Sequence, residues 1–262
     1  MRAILKRIPW LLEHELRTKF GFVQAEETLV AESQVFWSGP LSNRLKRYSH
    51  WRGVGAHDDS HWRAMGDEHL EMFHQFCAVV GMECPVERIV DWGCGGGANA
   101  VRFAGETKNY YGVDISQANL EECARQLSEI GYRKFDPILI DASCPERIFD
   151  RLEKGSCDFF LCTHVFDLLP SPEYGIRILG VARDLMRTGG GAMVHFRYRD
   201  GRRYFEPKRW GYARNVVSMT AYHLGDFWKS TEECGLSPLF LKLRPTDSHI
   251  GGSNYAYIFL TK

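Results

Sequence analysis

The residues best placed to do chemistry are a run of glycines and the acids around it. Residues 90–97 read VDWGCGGG, between an apolar stretch typical of a strand and a helical pattern. Glycine lets the backbone turn tightly and approach a ligand without a Cβ atom in the way. Asp114 ends the next predicted strand, where its carboxylate can accept hydrogen bonds from ribose hydroxyls. The pattern predicts a nucleotide-like ligand at the carboxyl ends of the strands.

A second polar group follows the fourth predicted strand. His164 comes directly after that strand, and Asp167 lies three residues further on. A neutral imidazole is a suitable general base near pH 7, and Asp167 could orient it or contact a substrate. The alternatives are structural: a histidine that packs or caps the next helix, and a first-turn acid favoured by the helix dipole.

A histidine-rich stretch precedes the first strand. His57 and His61 have the i, i+4 spacing of a helical metal site, but no clear third ligand accompanies them, so we expect no metal. We expect instead a polar turn in a lid over the ligand, before a helix that begins near Asp67. His61 and Trp62 are then candidate substrate contacts. Stacking of Trp62 on a flat ring and plain anchoring of the lid both remain open.

The segment after the fifth strand, residues 197–214, is strongly basic and interleaved with aromatic residues. Arginine binds carboxylate and phosphate in a bidentate manner. One interpretation is therefore a pocket for an anionic small molecule, with Arg197 and Tyr198 as contacts, and the other is a solvated loop of ion pairs. The whole chain has 33 basic and 33 acidic residues, which makes nucleic acid an unlikely partner.

Short β-type runs alternate with helical patterns from residue 88 onward, which predicts a mostly parallel α/β sheet with helices on both faces. The last two strands are joined only by a loop and should pair antiparallel. A glycine run at residues 189–191 is expected to end the helix before the fifth strand. The predicted strands are Arg88–Asp91, Tyr110–Asp114, Pro137–Asp141, Asp158–Thr163, Ala192–Phe196, Leu236–Leu243 and Tyr255–Leu260.

Residues 1–80 have a different pattern and are interpreted as an N-terminal helical lid or extension to a main domain at 81–262. A helix with an apolar stripe from Ile4 to Leu16 could dock on the core, on a second copy in a homodimer, or on a membrane surface. No apolar run is long enough to span a bilayer. The eight cysteines have no zinc-like spacing. Free thiols and the lack of a signal-peptide pattern favour a cytoplasmic protein.

These features resemble the class I S-adenosylmethionine-dependent methyltransferases. The resemblance rests on D-x-G-C-G-x-G after a strand, the acid that ends strand two, Asp-Ala at the end of strand three, and the closing antiparallel hairpin. It covers residues 88–262. It implies a Rossmann-like, doubly wound, seven-stranded sheet with an N-terminal helical lid. It also implies S-adenosylmethionine as cofactor, with S-adenosylhomocysteine as product.

The resemblance also implies roles for individual residues. Asp91 would orient the amino end of the methionine, Asp114 would hold the ribose, and Ile115 would pack on the adenine. The adenine edge would meet Asp141 and Ala142. The full implied cofactor set is Asp91, Gly93, Cys94, Gly95, Gly97, Asp114, Ile115, Asp141, Ala142 and Thr163.

The implied reaction is methyl transfer to a small or medium-sized acceptor. An oxygen of a sugar, glycolipid or secondary metabolite is favoured, with His164 as base, and a small amine is the alternative because it needs little base catalysis. Two other classes stay open. Gly93, Gly95 and Ala98 fit the G-x-G-x-x-A pattern of a dehydrogenase, although Asp91 and the antiparallel C-terminal pair disfavour it. The second open class is a catalytically silent scaffold.

Overall fold

The computed structural model describes residues 12, 16–17, 23–55, 58–202, 206–247 and 252–262. Most of the predicted helix from Ile4 to Leu16 lies outside these ranges, and so does His57 of the candidate metal pair. In the described part of the chain, no helix is long and apolar enough to cross a membrane. All eight cysteines are free thiols.

Seven strands form one sheet in the order β3-β2-β1-β4-β5-β7-β6. The first five strands pair in parallel, and β7 pairs antiparallel with both β5 and β6. The predicted mostly parallel sheet with an antiparallel C-terminal hairpin is thus confirmed. The strands are β1 Val86–Trp92, β2 Thr107–Asp114, β3 Phe135–Leu139, β4 Cys157–Cys162, β5 Met186–Arg197, β6 Ser237–Asp247 and β7 Gly252–Thr261.

Helices cover both faces of the sheet and also lie above its carboxyl edge. Serine and aspartate caps start several of them, since a side-chain oxygen satisfies a backbone N–H that has no partner inside the helix. Ser171, for example, accepts from the Tyr174 N–H at 2.9 Å. The helices are α1 Glu26–Trp37, α2 Asn43–Tyr48, α3 Asp59–Val80, α4 Ala100–Phe103, α5 Gln117–Glu129, α6 Pro172–Leu185, α7 Tyr212–Asn215 and α8 Leu224–Glu233.

Two predicted helix boundaries were wrong. Helix α3 begins at Asp59 and not near Asp67, because Asp58 caps it by accepting from the His61 N–H at 2.8 Å. The glycines at 189–191 do not end a helix but lie inside β5. A Cβ atom on Gly191 would come within 2.3 Å of the Phe76 ring, so glycine here admits a core aromatic against the strand.

Helix α3 joins the core of the sheet. Its Phe73 and Phe76 are fully buried, with ring centroids 4.7 and 5.5 Å from that of Phe159 in β4. Each buried phenylalanine contributes about 1.5–3 kcal/mol by removal from water. Part of the segment predicted as a lid, residues 1–80, therefore belongs to the core of the main domain. The residues that cover the sheet edge come earlier in the chain, in α1, α2 and residues 49–51.

Parallel pairing brings four loops together at one edge of the sheet. The register places Trp92 beside Val113, Asp114 beside Leu139, and Asp91 beside Leu161. The chain therefore leaves β1, β2, β3 and β4 at the same end. The glycine run, the acid of β2 and the residues after β4 meet at that end, as expected for a sheet of this topology.

Candidate functional site

A main cleft opens above the carboxyl ends of β1–β4 and encloses about 660 Å³. Its walls are apolar and aromatic, and one carboxylate, that of Asp114, faces it. Such a surface fits a flat ring joined to a hydroxylated group. The side chains that form the walls include Trp37, Val113, Ile115, Ile140, Ala142, Leu168, Tyr174 and Tyr212.

Asp114 is held in place by protein donors. One carboxylate oxygen accepts from the Gly95 N–H at 3.1 Å and the other from the Ser116 N–H at 2.9 Å, while the Asn119 amide donates to both at 3.3 Å. Burial raises the pKa of Asp114 from its ordinary value, and these hydrogen bonds oppose that rise. These donors hold the carboxylate in a fixed orientation at the wall of the main cleft.

The glycine run is packed against a lid segment, residues 48–51. A Cβ atom on Gly95 would lie 2.6 Å from the Ser49 carbonyl oxygen, and one on Gly96 would lie 2.8 Å from the His50 carbonyl oxygen. The Gly96 N–H donates to the Ser49 carbonyl at 2.7 Å. Glycine is therefore required here for close approach of the lid segment as well as for the turn.

Side chains lock the lid segment to the domain. Asn119 in α5 donates to the Ser49 hydroxyl at 3.0 Å and accepts from the Trp51 indole N–H at 2.9 Å. Trp62 in α3 is buried and donates its indole N–H to the His50 carbonyl at 2.8 Å. Of the two roles open for Trp62, the structure favours anchoring over stacking, because its ring packs with Met65 and Ala98.

A second, inner cavity of about 360 Å³ lies beneath the lid segment. Its lining is rich in imidazoles. The ring centroid of His164 is 4.9 Å from that of His50, 5.4 Å from that of His69 and 4.2 Å from that of His195. His50 and His164 both have positive φ, 53° and 56°. For a non-glycine residue this conformation is strained, and such strain clusters at functional sites.

A buried hydrogen-bonded chain forms the wall of the inner cavity. The Asn99 amide donates to the Thr163 hydroxyl at 2.8 Å, and its oxygen lies 2.7 Å from His69 Nδ1. Because that oxygen only accepts, Nδ1 carries a proton, and Nε2 lies 2.9 Å from the Tyr257 hydroxyl. Neither Asn99 nor His69 stands out in the sequence, since nothing local indicates this partnership.

His164 lies where the main cleft and the inner cavity meet and lines both. Its backbone N–H donates to His195 Nδ1 at 3.2 Å. Burial, reinforced by the nearby His69 and Arg197, lowers the pKa of His195 well below its ordinary value, so this imidazole is neutral and can accept. His195 thereby supports the strained backbone of His164.

Asp141 does not lie in the main cleft, in contrast to the sequence expectation. Its carboxylate is exposed and accepts from the Ser143 N–H at 2.7 Å and hydroxyl at 2.6 Å, and these bonds lower its pKa. Ala142 does line the cleft. Its N–H donates to the side-chain oxygen of Gln34 in α1 at 2.8 Å, a partner that sequence reasoning missed.

Asp167 and Arg197 pair with each other, away from both cavities. Arg197 Nη2 lies 3.8 Å from a carboxylate oxygen of Asp167, and both side chains are buried. The Tyr255 hydroxyl donates to Asp167 at 3.3 Å, and Arg197 donates to the Val217 carbonyl at 2.6 Å. The expectations that Asp167 orients His164 and that Arg197 binds an acceptor are thus not supported, because each side chain neutralises the other.

The remaining predicted contacts also lie elsewhere. Tyr198 forms a β-bridge with Tyr222, and His61 belongs to the first turn of α3. The basic segment mostly forms ion pairs, namely Arg199–Glu206, Arg202–Asp200 and Arg209–Glu173. Among the described residues, no group of three His, Cys, Asp or Glu side chains is arranged to hold a metal ion.

Asp91 and Cys94 lie beneath the glycine run. Asp91 is buried and accepts from the Tyr110 hydroxyl at 2.7 Å, and burial raises its pKa to about 7. Asp91 therefore braces β1 against β2. Cys94 lines the inner cavity and contacts Cys123, which together with burial raises its thiol pKa. Of the other predicted glycines, Gly93 lines both cavities, and Gly97 abuts Cys123.

Comparison with known proteins identifies the fold and a methyltransferase domain within it. Residues 89–190 match the family described as a methyltransferase domain. This match covers less than half of the chain and assigns a methyltransferase domain to that part of it. A S-adenosylmethionine-dependent methyltransferase from Methanosarcina mazei superposes with a TM-score of 0.58 at 13% identity, over 73% of this chain and 96% of that one. No curated protein matches the sequence.

Two further methyltransferase structures share this fold with lower TM-scores. Geranyl diphosphate methyltransferase, solved in complex with S-adenosylmethionine, has a TM-score of 0.51 at 17% identity, over 76% of this chain and 83% of that one. The arsenic(III) methyltransferase from Chlamydomonas reinhardtii has a TM-score of 0.51 at 21% identity, over 68% and 64%. These likenesses support a methyltransferase fold for this chain.

Proposed function

We propose that this methyltransferase methylates an oxygen of a small hydroxylated acceptor, such as a sugar, glycolipid or secondary metabolite, with His164 as the base. The observation that carries the proposal is the position of His164, which lines both the main cleft and the inner cavity. Acceptors as different as arsenic(III) and geranyl diphosphate are named for proteins of this fold. The acceptor must therefore be argued from the residues of the site.

The described residues fit the cofactor. Asp114 lines the main cleft, where ribose hydroxyls would meet its carboxylate, while Ile115 and Ala142 offer apolar surface to the adenine. The polar inner cavity, with Asn99 and Thr163 in its wall, suits the methionine end. S-adenosylmethionine, when bound, supplies an electrophilic methyl group on sulfur. Asp141, which lies at the surface, has no place in this arrangement.

The protein's part in the reaction is to position the acceptor oxygen and remove its proton. Methyl transfer is an in-line displacement, so the oxygen must be fixed in direction as well as in distance. His164 has a positive φ, and its backbone N–H donates to His195 Nδ1, which supports a fixed position for this residue at the junction of the two cavities. There the imidazole takes the hydroxyl proton as the new bond forms.

The test compares His164→Ala with His223→Ala, a change at an exposed histidine that caps α8 without a side-chain hydrogen bond. Each protein is incubated with S-adenosylmethionine and a panel of sugars, phenols and amines, and products are followed by mass spectrometry. With hydroxyl acceptors, His164→Ala should lose about 10²-fold or more in turnover while S-adenosylhomocysteine still binds. His223→Ala should match the wild type.

Amines provide the contrasting result. An amine is methylated without strong base assistance, so an amine acceptor should be insensitive to His164→Ala. Transfer to amines alone, with equal turnover in both variants, would reject the oxygen acceptor and the base role together.

A further inference from the structure

Helix α2 and the loop after it form a groove on the surface, which we call the basic groove. It encloses about 800 Å³ and is lined by Asn43, Arg44, Arg47, Tyr48, Gly53, Val54 and Gly55. Residues 41–55 contain four arginines and lysines and no acidic residue. In a chain of zero net charge, this is a local concentration of positive charge.

Two arginines dominate the basic groove. Arg44 and Arg47 are three residues apart on α2, which puts them on one face of the helix. Their guanidinium carbons lie 5.5 and 5.8 Å from the centroid of the Tyr48 ring. Arg44 is further fixed by donating to the Ala213 carbonyl. The two cations are therefore held near the same aromatic ring.

These arginines differ from most others in the described part of the chain. Arg52 pairs with Asp59, Arg177 with Glu146 and Arg209 with Glu173. Among the described residues, no carboxylate forms a salt bridge with Arg44 or Arg47. A pair of guanidinium groups left without a protein anion is suited to a ligand that brings its own, and phosphate offers three oxygens to such a pair.

Tyr48 connects the basic groove to the reaction site. It lines the basic groove, the main cleft and the inner cavity. The next residue, Ser49, accepts from the Gly96 N–H at 2.7 Å, so this part of the lid segment is fixed relative to the glycine run. Among the described residues, Tyr48 alone lines all three cavities, and His164 lines two of them.

We propose that the basic groove binds the phosphate group of a phosphate-bearing acceptor, whose hydroxyl reaches His164 past Tyr48. This inference rests on the proposed function and adds the chemical class of the acceptor to it. An anionic acceptor was expected from the sequence, but at Arg197, which is buried and paired with Asp167. We therefore assign the binding of the acceptor's anionic group to Arg44 and Arg47 instead.

Direct binding is measured first, by calorimetric titration with inorganic pyrophosphate at low salt. The variants are Arg44→Gln, Arg47→Gln and the double variant, with Arg147→Gln as a matched control at an arginine whose side chain is 70% exposed. The double variant should bind pyrophosphate at least about tenfold more weakly, as expected for lost charge-assisted hydrogen bonds. Arg147→Gln should stay within about twofold of wild type. Equal binding by all proteins would overturn the inference.

Turnover is then compared for hydroxyl acceptors with and without a phosphate group. The phosphorylated member of a pair should have a kcat/KM at least about tenfold higher, and the double variant should remove this advantage while leaving the neutral member unchanged. Equal use of both members would overturn the inference but leave the proposed function standing. Loss of pyrophosphate binding in the double variant, with no acceptor methylated, would support the basic groove while contradicting the proposed function. Tighter binding of a short RNA than of pyrophosphate through these arginines would also overturn the inference.

Discussion

A single methyl group at position 96 should weaken cofactor binding by displacing the lid segment. In Gly96→Ala the new Cβ would lie 2.8 Å from both the His50 carbonyl oxygen and the Trp51 Cα. Both are backbone atoms, so a side-chain rotation cannot relieve the contact. The lid segment would have to move away, which would break the bond from the Gly96 N–H to the Ser49 carbonyl.

The size of the effect follows from these contacts. Overpacking of a tight interior costs about 1–3 kcal/mol, and the lost hydrogen bond adds about 1 kcal/mol. If about 2 kcal/mol of this total destabilises the closed position of the lid segment, the dissociation constant of a ligand beneath it rises about 30-fold. Gly96 itself does not line either cavity, so the loss acts through the lid segment.

The assay is calorimetric titration with S-adenosylhomocysteine, together with thermal unfolding. Gly105→Ala is the control, because a Cβ atom there meets nothing within 4 Å. It should leave the dissociation constant unchanged. Wild-type affinity in a folded Gly96→Ala protein would refute the reasoning that the lid segment closes the site through the glycine run.

Three further predictions concern buried polar groups. Burial raises the pKa of Asp91 from 3.8 to about 7. Between these two pH values the folded state keeps a proton that the unfolded state releases. The free energy of unfolding should therefore fall as pH rises from about 4 to 7, by at most about 4 kcal/mol. Asp91→Asn should flatten this fall in urea unfolding at pH 5 and 8, and an unchanged slope would argue against the shift. Arg197→Met should lower the free energy of unfolding by about 3–5 kcal/mol and Tm by roughly 10 °C, because it leaves Asp167 buried without its partner arginine. An unaltered Tm in a thermal scan would show that the pair is not buried as described. His195→Leu removes the acceptor for the His164 N–H and should lower turnover while S-adenosylhomocysteine affinity stays within about threefold; equal turnover would exclude a positioning role.

The edge of the sheet that carries the main cleft could be predicted because its signals are local. The glycine run follows a strand directly, and Asp114 ends the next one, so spacing alone places both at the carboxyl edge. The parallel pairing of the first five strands followed from the alternation of strands and helices, and the antiparallel pairing of the last two from the short link before β7. These features need no knowledge of distant residues.

The assignments that failed depend on partners far away in the sequence. The Arg197 guanidinium looked available for a ligand, yet Asp167, thirty residues earlier in the chain, neutralises it. Asp141 ends the expected third strand, but Ser143 two residues on binds its carboxylate at the surface. Gln34 reaches Ala142 across 108 residues. No spacing rule reveals such contacts before the fold is known.

The histidine cluster illustrates the same limit within the site. His164 was recognisable because it directly follows β4. His50, His69 and His195 come from the lid segment, α3 and β5, and they converge on His164 only in three dimensions. The positions of His50 and His69 in the wall of the inner cavity, and of His195 against His164, could be assigned only from ring positions and hydrogen bonds.

Calorimetric titration of the purified wild-type protein with S-adenosylmethionine, S-adenosylhomocysteine and NAD tests most directly whether the main cleft and inner cavity hold the methyl donor. Micromolar binding of the two sulfur compounds, with no heat from NAD, is the predicted result. Absence of binding by both sulfur compounds, in a protein that is folded by thermal unfolding, would contradict the assignment of the glycine run and Asp114 to this cofactor.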